Sequence, residues 1–451
     1  MSRRFHASAE LRSVVHLAAP IALMQTGMVL YGTVDTLMVG RLGPEAIAVV
    51  GISGSTYFML FIVAMGLLLG IDPLSSRAHG EGKPERCVEV LVHAAALALL
   101  AALPVFLALG QADRLFALIG VQASVAESAA RYLRVLRWAM FPGLLFAACR
   151  HFLQSQSITR PQLFAVIAGN VLNALLVWAL VFGRWGAPAL GVLGAAWATL
   201  GASILSLLVA GTAALRRIRH SRFRWGGWRP ELFTELLHVG VPAGLQLLVE
   251  VAAFSMATML CGRIGAAAAA AHQITLNLAS LTYMIPLGLS HAAAVRVGQG
   301  LGKGRPLEAA RSGWAALAVG ASFMALMSAL FVLFPRAILG LYTSDPVVLG
   351  IGGGLLMVAA FFQVFDATQI VLTGALRGLG ETRTPFLVNL AGHWCVGLPV
   401  GAWLAFGAGL GALGLWIGLC TGLCLVALSL LLVWHRRAAT LCESPARSSA
   451  H

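Results

Sequence analysis

Three carboxylates lie inside sequence that is otherwise apolar: Asp35, Glu250 and Asp366. An Asp at the centre of a bilayer costs about 2.5–3.5 kcal/mol on an insertion scale, so an acid kept there has a use. Two kinds of chemistry fit. A carboxylate taken out of water holds its proton to higher pH and can exchange it near neutrality. With amide and carbonyl oxygens around it, a carboxylate can instead hold a hard cation such as Na⁺. Either event cancels a buried charge and changes the relative cost of two conformations, which is what an ion-driven transporter needs.

The neighbours of these acids are polar in a patterned way. Asp366 shares a helical face with Gln363, Gln369 and Thr373. Glu250 has Gln246 one turn before it and Phe254 one turn after. The face bearing Asp35 continues through Tyr31, Met28 and Met24, with Gln25 one turn before Met28, an adaptable apolar surface beside an acid. Every asparagine of the chain (Asn170, Asn173, Asn277, Asn389) falls in an apolar run, and Asn170 and Asn173 stand one turn apart. Polar residues also bind helix to helix in a membrane, so each Asn has a structural as well as a substrate-facing reading. Asp35 has an alternative too, an interfacial pair with Arg41.

The elements that must carry these residues are membrane helices. The chain is 59% hydrophobic and only 11% charged. Apolar runs long enough to cross about 30 Å of hydrocarbon recur about twelve times. They lie near 14–39, 46–72, 87–110, 129–153, 161–183, 190–214, 236–261, 266–294, 312–334, 347–376, 385–405 and 411–434. Counted from the run ends, Glu250 and Asp366 lie roughly 15 Å deep, near the midplane, and Asp35 some 7 Å deep. Asp72 falls at the end of the second run, before Pro73, within reach of water.

The net charge of +14 does not point to nucleic acid, because its distribution is that of a topology signal. With both termini cytoplasmic, most Lys and Arg fall on the inside: Arg3, Arg4 and Arg12; Arg77, Lys83 and Arg86; Arg150 and Arg160; the Arg216–Arg229 cluster; Arg296 to Arg311; Arg377 and Arg383; Arg436 and Arg437. The first run is too long for a signal-peptide core and reads as a retained span. Seven cysteines include no Cys-x-x-Cys, and Cys420 and Cys424 read as packed small hydrophobes. No Asn-x-Ser/Thr sequon occurs, which fits a bacterial inner membrane. The Gly298–Gly304 stretch lacks the Lys-Ser/Thr of a phosphate loop, and no catalytic constellation or cofactor motif is present, so an enzyme is not expected.

The chain also aligns with itself. Pro20 matches Pro242, Gly40-Arg41 matches Gly262-Arg263, Gly66-Leu67 matches Gly288-Leu289, and Gly80, Gly82 and Pro84 match Gly302, Gly304 and Pro306. The expected architecture is all-α, with twelve transmembrane helices in two homologous six-helix lobes about a pseudo-two-fold axis along the membrane normal. The expected division is an N-terminal lobe 1–215, a cytoplasmic Arg-rich linker 216–234 with Trp225 and Trp228 at headgroup level, a C-terminal lobe 235–437 and a disordered tail 438–451. The acids break the repeat, since Glu250 falls on Met28 and Asp35 on Ala257.

The run Val34-Asp35-Thr36-Leu37-Met38-Val39-Gly40-Arg41-Leu42-Gly43 resembles the multidrug and toxic compound extrusion (MATE) family. So do Ala270-Ala271-His272-Gln273-Ile274, Pro286-Leu287-Gly288-Leu289-Ser290, Val295-Arg296-Val297-Gly298-Gln299 and Gly374-Ala375-Leu376-Arg377-Gly378-Leu379-Gly380-Glu381-Thr382. Glu250 with Asp366 resembles the NorM-type branch, which implies cation coupling at Glu250, Asp366 and Asp35. Asn170-x-x-Asn173 resembles a polar pair of the fifth span. Phe362 stands where some members carry a tyrosine, and so lacks its hydroxyl. The resemblance implies a monomeric antiporter that moves Na⁺ or H⁺ in and a bulky cationic amphiphile out, without a cofactor. It implies lobes that rock around a drug cavity lined partly from spans one, two, seven and eight, with lipid as the surrounding partner. A lipid-linked glycan flippase would want a basic cavity, and intramembrane cations look scarce. A polytopic membrane enzyme would want clustered His or acids at one interface.

Overall fold

The computed structural model describes the backbone of residues 2–448 except 121, 222, 224 and 225, and side chains within 10–443 apart from those positions, 119 and 123. Twelve helices are long and apolar enough to cross a membrane. Spans 1 to 6 are Glu10–Leu42, Pro44–Gly80, Pro84–Gly110, Ser124–Ser155, Arg160–Phe182 and Val192–His220. Spans 7 to 12 are Pro230–Ile264, Ala266–Gly302, Pro306–Leu333, Pro346–Gly378, Arg383–Gly407 and Gly411–Glu443. No strand occurs among the described residues, as expected where every backbone polar group must be satisfied within its own segment.

Helix starts follow local chemistry. Proline opens spans 2, 3, 9 and 10 at the first turn, where its missing N–H is no loss. Asp345 caps span 10, its carboxylate accepting from the backbone N–H of Val347 at 2.8 Å and of Val348 at 3.2 Å. Two short helices, Ala112–Ile119 and Pro335–Gly340, follow spans 3 and 9. They occupy corresponding places in the repeat.

Spans 2 and 8 run well beyond the apolar stretches expected at 46–72 and 266–294. Their extra turns carry buried polar or small residues: Ser75 and Ser76 in one, Gly298 and Gln299 in the other. Hydropathy registers the lipid-facing surface, and the ends of these spans face protein instead. Ser75 Oγ, for instance, lies 2.6 Å from Ser155 Oγ on span 4. The final helix continues to Ser448, through most of the segment expected to be a tail, because Arg, Ala and Leu after Trp434 propagate it readily.

The contacts divide the chain into two compact units. One is Leu23–Gly244; the other joins Met1–Ala22 to Leu245–His451. The division therefore falls inside spans 1 and 7, two residues past Pro20 and Pro242, and not in the Arg-rich connector. Each interior proline removes a backbone donor and marks a natural break in its helix. The transferred half-helices seat in matching ways. A Cβ on Gly288 would lie 2.8 Å from the Ala22 Cα in one unit, and a Cβ on Gly66 would collide with Gly244 in the other.

Within the connector, Trp228 packs on His93 (centroids 4.4 Å apart) and on Phe233 (5.3 Å). Arg229 Nη1 pairs with Glu89 Oε2 at 3.1 Å. Trp225, expected alongside Trp228, lies outside the described residues. Span 11 is interrupted by two π-helical stretches, Ala391–Gly397 and Trp403–Gly407, a distortion frequent at functional sites.

Candidate functional site

In the unit that contains Leu245–His451, three spans bring the polar residues together. Glu250 on span 7 and Asp366 on span 10 are both buried, 9% and 6% exposed. They lie near enough to interact electrostatically, and Tyr283 on span 8 lies close to Glu250. The predicted face of span 10 is present: Gln363, Gln369 and Thr373 are buried with Asp366, and Gln246 is buried one turn below Glu250.

Two groups of residues frame these acids. Gln369 Nε2 donates to Asn389 Oδ1 on span 11 at 2.9 Å, and Asn389 Nδ2 donates to the Pro385 carbonyl at 2.9 Å. Phe254 meets Phe362 edge-on at 6.2 Å and His393 at 6.2 Å, and Phe362 meets Trp416 at 6.1 Å. Several buried polar atoms have no protein partner: Glu250 Oε2, both amide atoms of Gln363, Gln369 Oε1, Thr373 Oγ1 and both ring nitrogens of His393. Oxygens of this kind suit a hard cation, and a protonated carboxyl could donate to one of them.

His272, from the Ala-Ala-His-Gln-Ile run, supports the aromatic wall. The Trp416 indole Nε1 donates to His272 Nδ1 at 3.0 Å. An indole can only donate, so the imidazole proton sits on Nε2. That nitrogen lies 2.8 Å from Thr258 Oγ1, which donates in turn to the Phe254 carbonyl at 3.0 Å. A single tautomer thus ties the backbone of span 7, one turn from Glu250, to span 12. Asn277 plays no part here. It is exposed and accepts from the Tyr342 hydroxyl at 2.9 Å, so it anchors the connection before span 10.

The Leu23–Gly244 unit holds the third acid. Asp35 is 6% exposed. Asn173 Nδ2 donates to its Oδ1 at 2.7 Å and Thr199 Oγ1 to its Oδ2 at 3.0 Å. Its partners are an amide on span 5 and a hydroxyl on span 6, not the Arg41 cation. Asn170 Nδ2 donates to the Gly27 carbonyl on span 1 at 2.9 Å, and the Tyr31 hydroxyl of span 1 lies 3.4 Å from Ser206 Oγ on span 6. The polar pair therefore divides its work: Asn173 binds the acid and Asn170 binds the backbone of span 1.

Two sequence expectations fail in this unit. Arg150 is expected on the cytoplasmic side near the end of the fourth run and Asp72 within reach of water, yet they are 1% and 0% exposed. Arg150 Nη1 donates to Gln25 Oε1 at 3.0 Å and approaches Met28 Sδ at 3.4 Å. Its Nη2 lies 3.1 Å from His151 Nε2, and His151 Nδ1 lies 2.7 Å from Asp72 Oδ1. Arginine can only donate, so Nε2 accepts and the imidazole proton points from Nδ1 to Asp72. Gln25 and Met28, expected to line the cavity or give it polar support, are partners of this buried cation. Arg377 is likewise buried at the end of span 10, 3.4 Å from His291 Nδ1. The span-end position of both arginines matches a cytoplasmic charge in sequence, and only packing shows that they turn inward.

Tyr283, Thr199, Arg150 and His272 were not identified as site residues from sequence. A hydroxyl in an apolar run and a cation near a run's end were the available signals, but both are common where they are merely structural.

Comparison with known proteins agrees with this architecture. The MatE family model matches twice, over residues 20–179 and 242–403, with its two starts on the proline pair of the internal repeat. The chain is 36% identical over 441 residues to the "Multidrug resistance protein NorM" of Burkholderia vietnamiensis, covering 95% of this chain and 94% of that one. It is 36% identical, with the same coverage, to the "Probable multidrug resistance protein NorM" of Mesorhizobium japonicum. Among solved structures, the eukaryotic MATE transporter AtDTX14 superposes with a TM-score of 0.85 at 26% identity, over 97% of this chain and 99% of that one. A doubled family match, near-full-length relatives and twelve membrane helices carrying a buried acid site lead to one assignment: this chain is a member of the MatE family of membrane transporters.

Proposed function

We propose that the protein is a secondary multidrug antiporter that exports cationic amphiphilic compounds in exchange for Na⁺ or H⁺. The observation that carries this reading is the convergence of Glu250, Asp366 and Tyr283 in one unit, beside buried oxygens without a protein partner. Binding of a cation or proton there removes a buried charge, and the conformation that buries the pair more deeply then becomes less costly. Asp35, held by Asn173 and Thr199, is the acid of the other unit and can respond to the same gradient or to the charge of the exported compound. Family membership and the names of the NorM relatives support efflux. The Arg bias supports a bacterial inner-membrane location with both termini in the cytoplasm.

The test is efflux of a fluorescent cation from proteoliposomes under Na⁺ and pH gradients imposed separately. Glu250→Gln and Asp366→Asn should each reduce gradient-driven efflux to background while leaving the amount of folded protein unchanged. The gradient that drives the wild type names the ion. Wild-type efflux in both variants would remove the coupling role from this pair.

A further inference from the structure

At one end of the Leu23–Gly244 unit lies a cavity of about 300 Å³, lined by none of Asp35, Glu250 and Asp366. It is lined by His79, Gly82, Pro84, Phe152, Arg217 and His220, with Val88, Gln156 and Ser221. These residues come from the ends of spans 2, 4 and 6 and the start of span 3. All four helix ends lie on the side of the membrane that the Arg bias assigns to the cytoplasm.

The lining is divided chemically. Phe152 and Val88, 1% and 2% exposed, supply an apolar wall. Arg217 and His220, both exposed, supply a basic rim. Among the described residues no acid lines the cavity; Glu81 nearby is occupied by Lys83 at 2.9 Å. Arg217 is held by one hydrogen bond, from Nε to Gln156 Oε1 at 3.1 Å, which leaves the two Nη groups as the donors that best fit a phosphate. His220 Nδ1 lies 2.6 Å from the Arg216 carbonyl and so donates to it, which leaves Nε2 as the outward atom. Pro84 and Val88 place the N-terminal end of a 27-residue helix beside the cavity.

We propose that this cavity binds a phosphate group, with Arg217 as its principal ligand and His220 and His79 beside it. An anionic phospholipid headgroup and a soluble phosphate share this chemistry. The apolar wall of Phe152 and Val88 gives a glycerol backbone and the root of an acyl chain somewhere to rest. Basic pockets between helices on the cytoplasmic side are a recurrent way of holding anionic lipid.

The experiment uses the full-length protein in detergent and reads the affinity for phosphatidylglycerol by native mass spectrometry, with phosphatidylcholine as the neutral reference. Arg217→Gln removes the pocket ligand. Arg216→Gln removes one charge from the same helix end without touching the lining. Arg217→Gln should weaken phosphatidylglycerol binding about tenfold or more, the loss expected for a charge-assisted hydrogen bond, and Arg216→Gln should leave it near wild type. Inorganic phosphate is then added as competitor. Failure to displace the lipid assigns the site to a headgroup; full displacement assigns it to a soluble anion. Equal losses in the two variants would show only a diffuse positive field and overturn the site. Binding of phosphatidylcholine as tight as that of phosphatidylglycerol would overturn it as well.

Discussion

Replacing Asp35 with Asn separates the acid's charge from its hydrogen bonds. In the native protein its two oxygens accept from Asn173 at 2.7 Å and from Thr199 at 3.0 Å. The Thr199 hydroxyl also reaches the Ala195 carbonyl at 3.1 Å. An asparagine can therefore fit without leaving a buried group unpaired. Its oxygen accepts from Asn173, its amide donates to Thr199, and Thr199 donates to Ala195. The change trades two charge-assisted bonds for neutral ones, a loss of about 1 kcal/mol each. Against that stands relief of the desolvation of a buried ion, which is several kcal/mol. Opposing terms of this size leave Asp35→Asn within about 2 kcal/mol of wild type. Asp35→Ala has no such compensation: the Asn173 amide loses its acceptor inside the helix bundle, at about 1–3 kcal/mol.

Thermal unfolding in detergent, paired with proteoliposome efflux, reads both quantities. Asp35→Asn should unfold close to wild type and Asp35→Ala clearly below it, while both lose ion-dependent efflux. Wild-type efflux with an unchanged gradient dependence in Asp35→Asn would show that Asp35 is only a hydrogen-bond acceptor. An Asp35→Asn protein less stable than Asp35→Ala would refute the bonding scheme.

Three further outcomes follow from the packing. Gly374 on span 10 abuts span 8 so closely that a Cβ there would collide with the Ser290 carbonyl oxygen; Gly374→Ala should cost about 1–3 kcal/mol, measured as a lower unfolding temperature, with larger residues worse. His272→Ala should cost about 1–3 kcal/mol by stranding the Trp416 indole and Thr258, and His272→Gln, which can accept from one and donate to the other, should recover part of it. Arg150→Met removes the donor to Gln25 and His151 from a fully buried site and should lower the yield of monodisperse protein in size-exclusion chromatography, consistent with the roughly 1–3 kcal/mol for each buried acceptor left without its donor. Full stability in Arg150→Met would mean that the guanidinium contributes nothing to the fold.

The amino-acid sequence by itself determined the number of spans, the internal repeat, and the three acids that a bilayer would not tolerate without reason. These are properties of composition along one strand of chain: hydrocarbon thickness sets the length of an apolar run, and the insertion cost singles out Asp35, Glu250 and Asp366. The same logic located the polar face of span 10 and the Asn170–Asn173 pair. It failed wherever the answer depended on which way a side chain turned. Arg150, Asp72 and Arg377 sit at the ends of apolar runs, where sequence places water, and a bundle of helices can bury such residues from all sides. Asn277 lies well inside a run and is nonetheless exposed. Tyr283 and Thr199 acquire a role only because helices distant in the chain bring them against Glu250 and Asp35. The repeat also suggested a boundary in the Arg-rich connector, whereas the units exchange partners inside spans 1 and 7, beside Pro20 and Pro242. Periodicity records which residues share a helix face; which face meets which helix is settled by packing, and packing is where the acids found their partners.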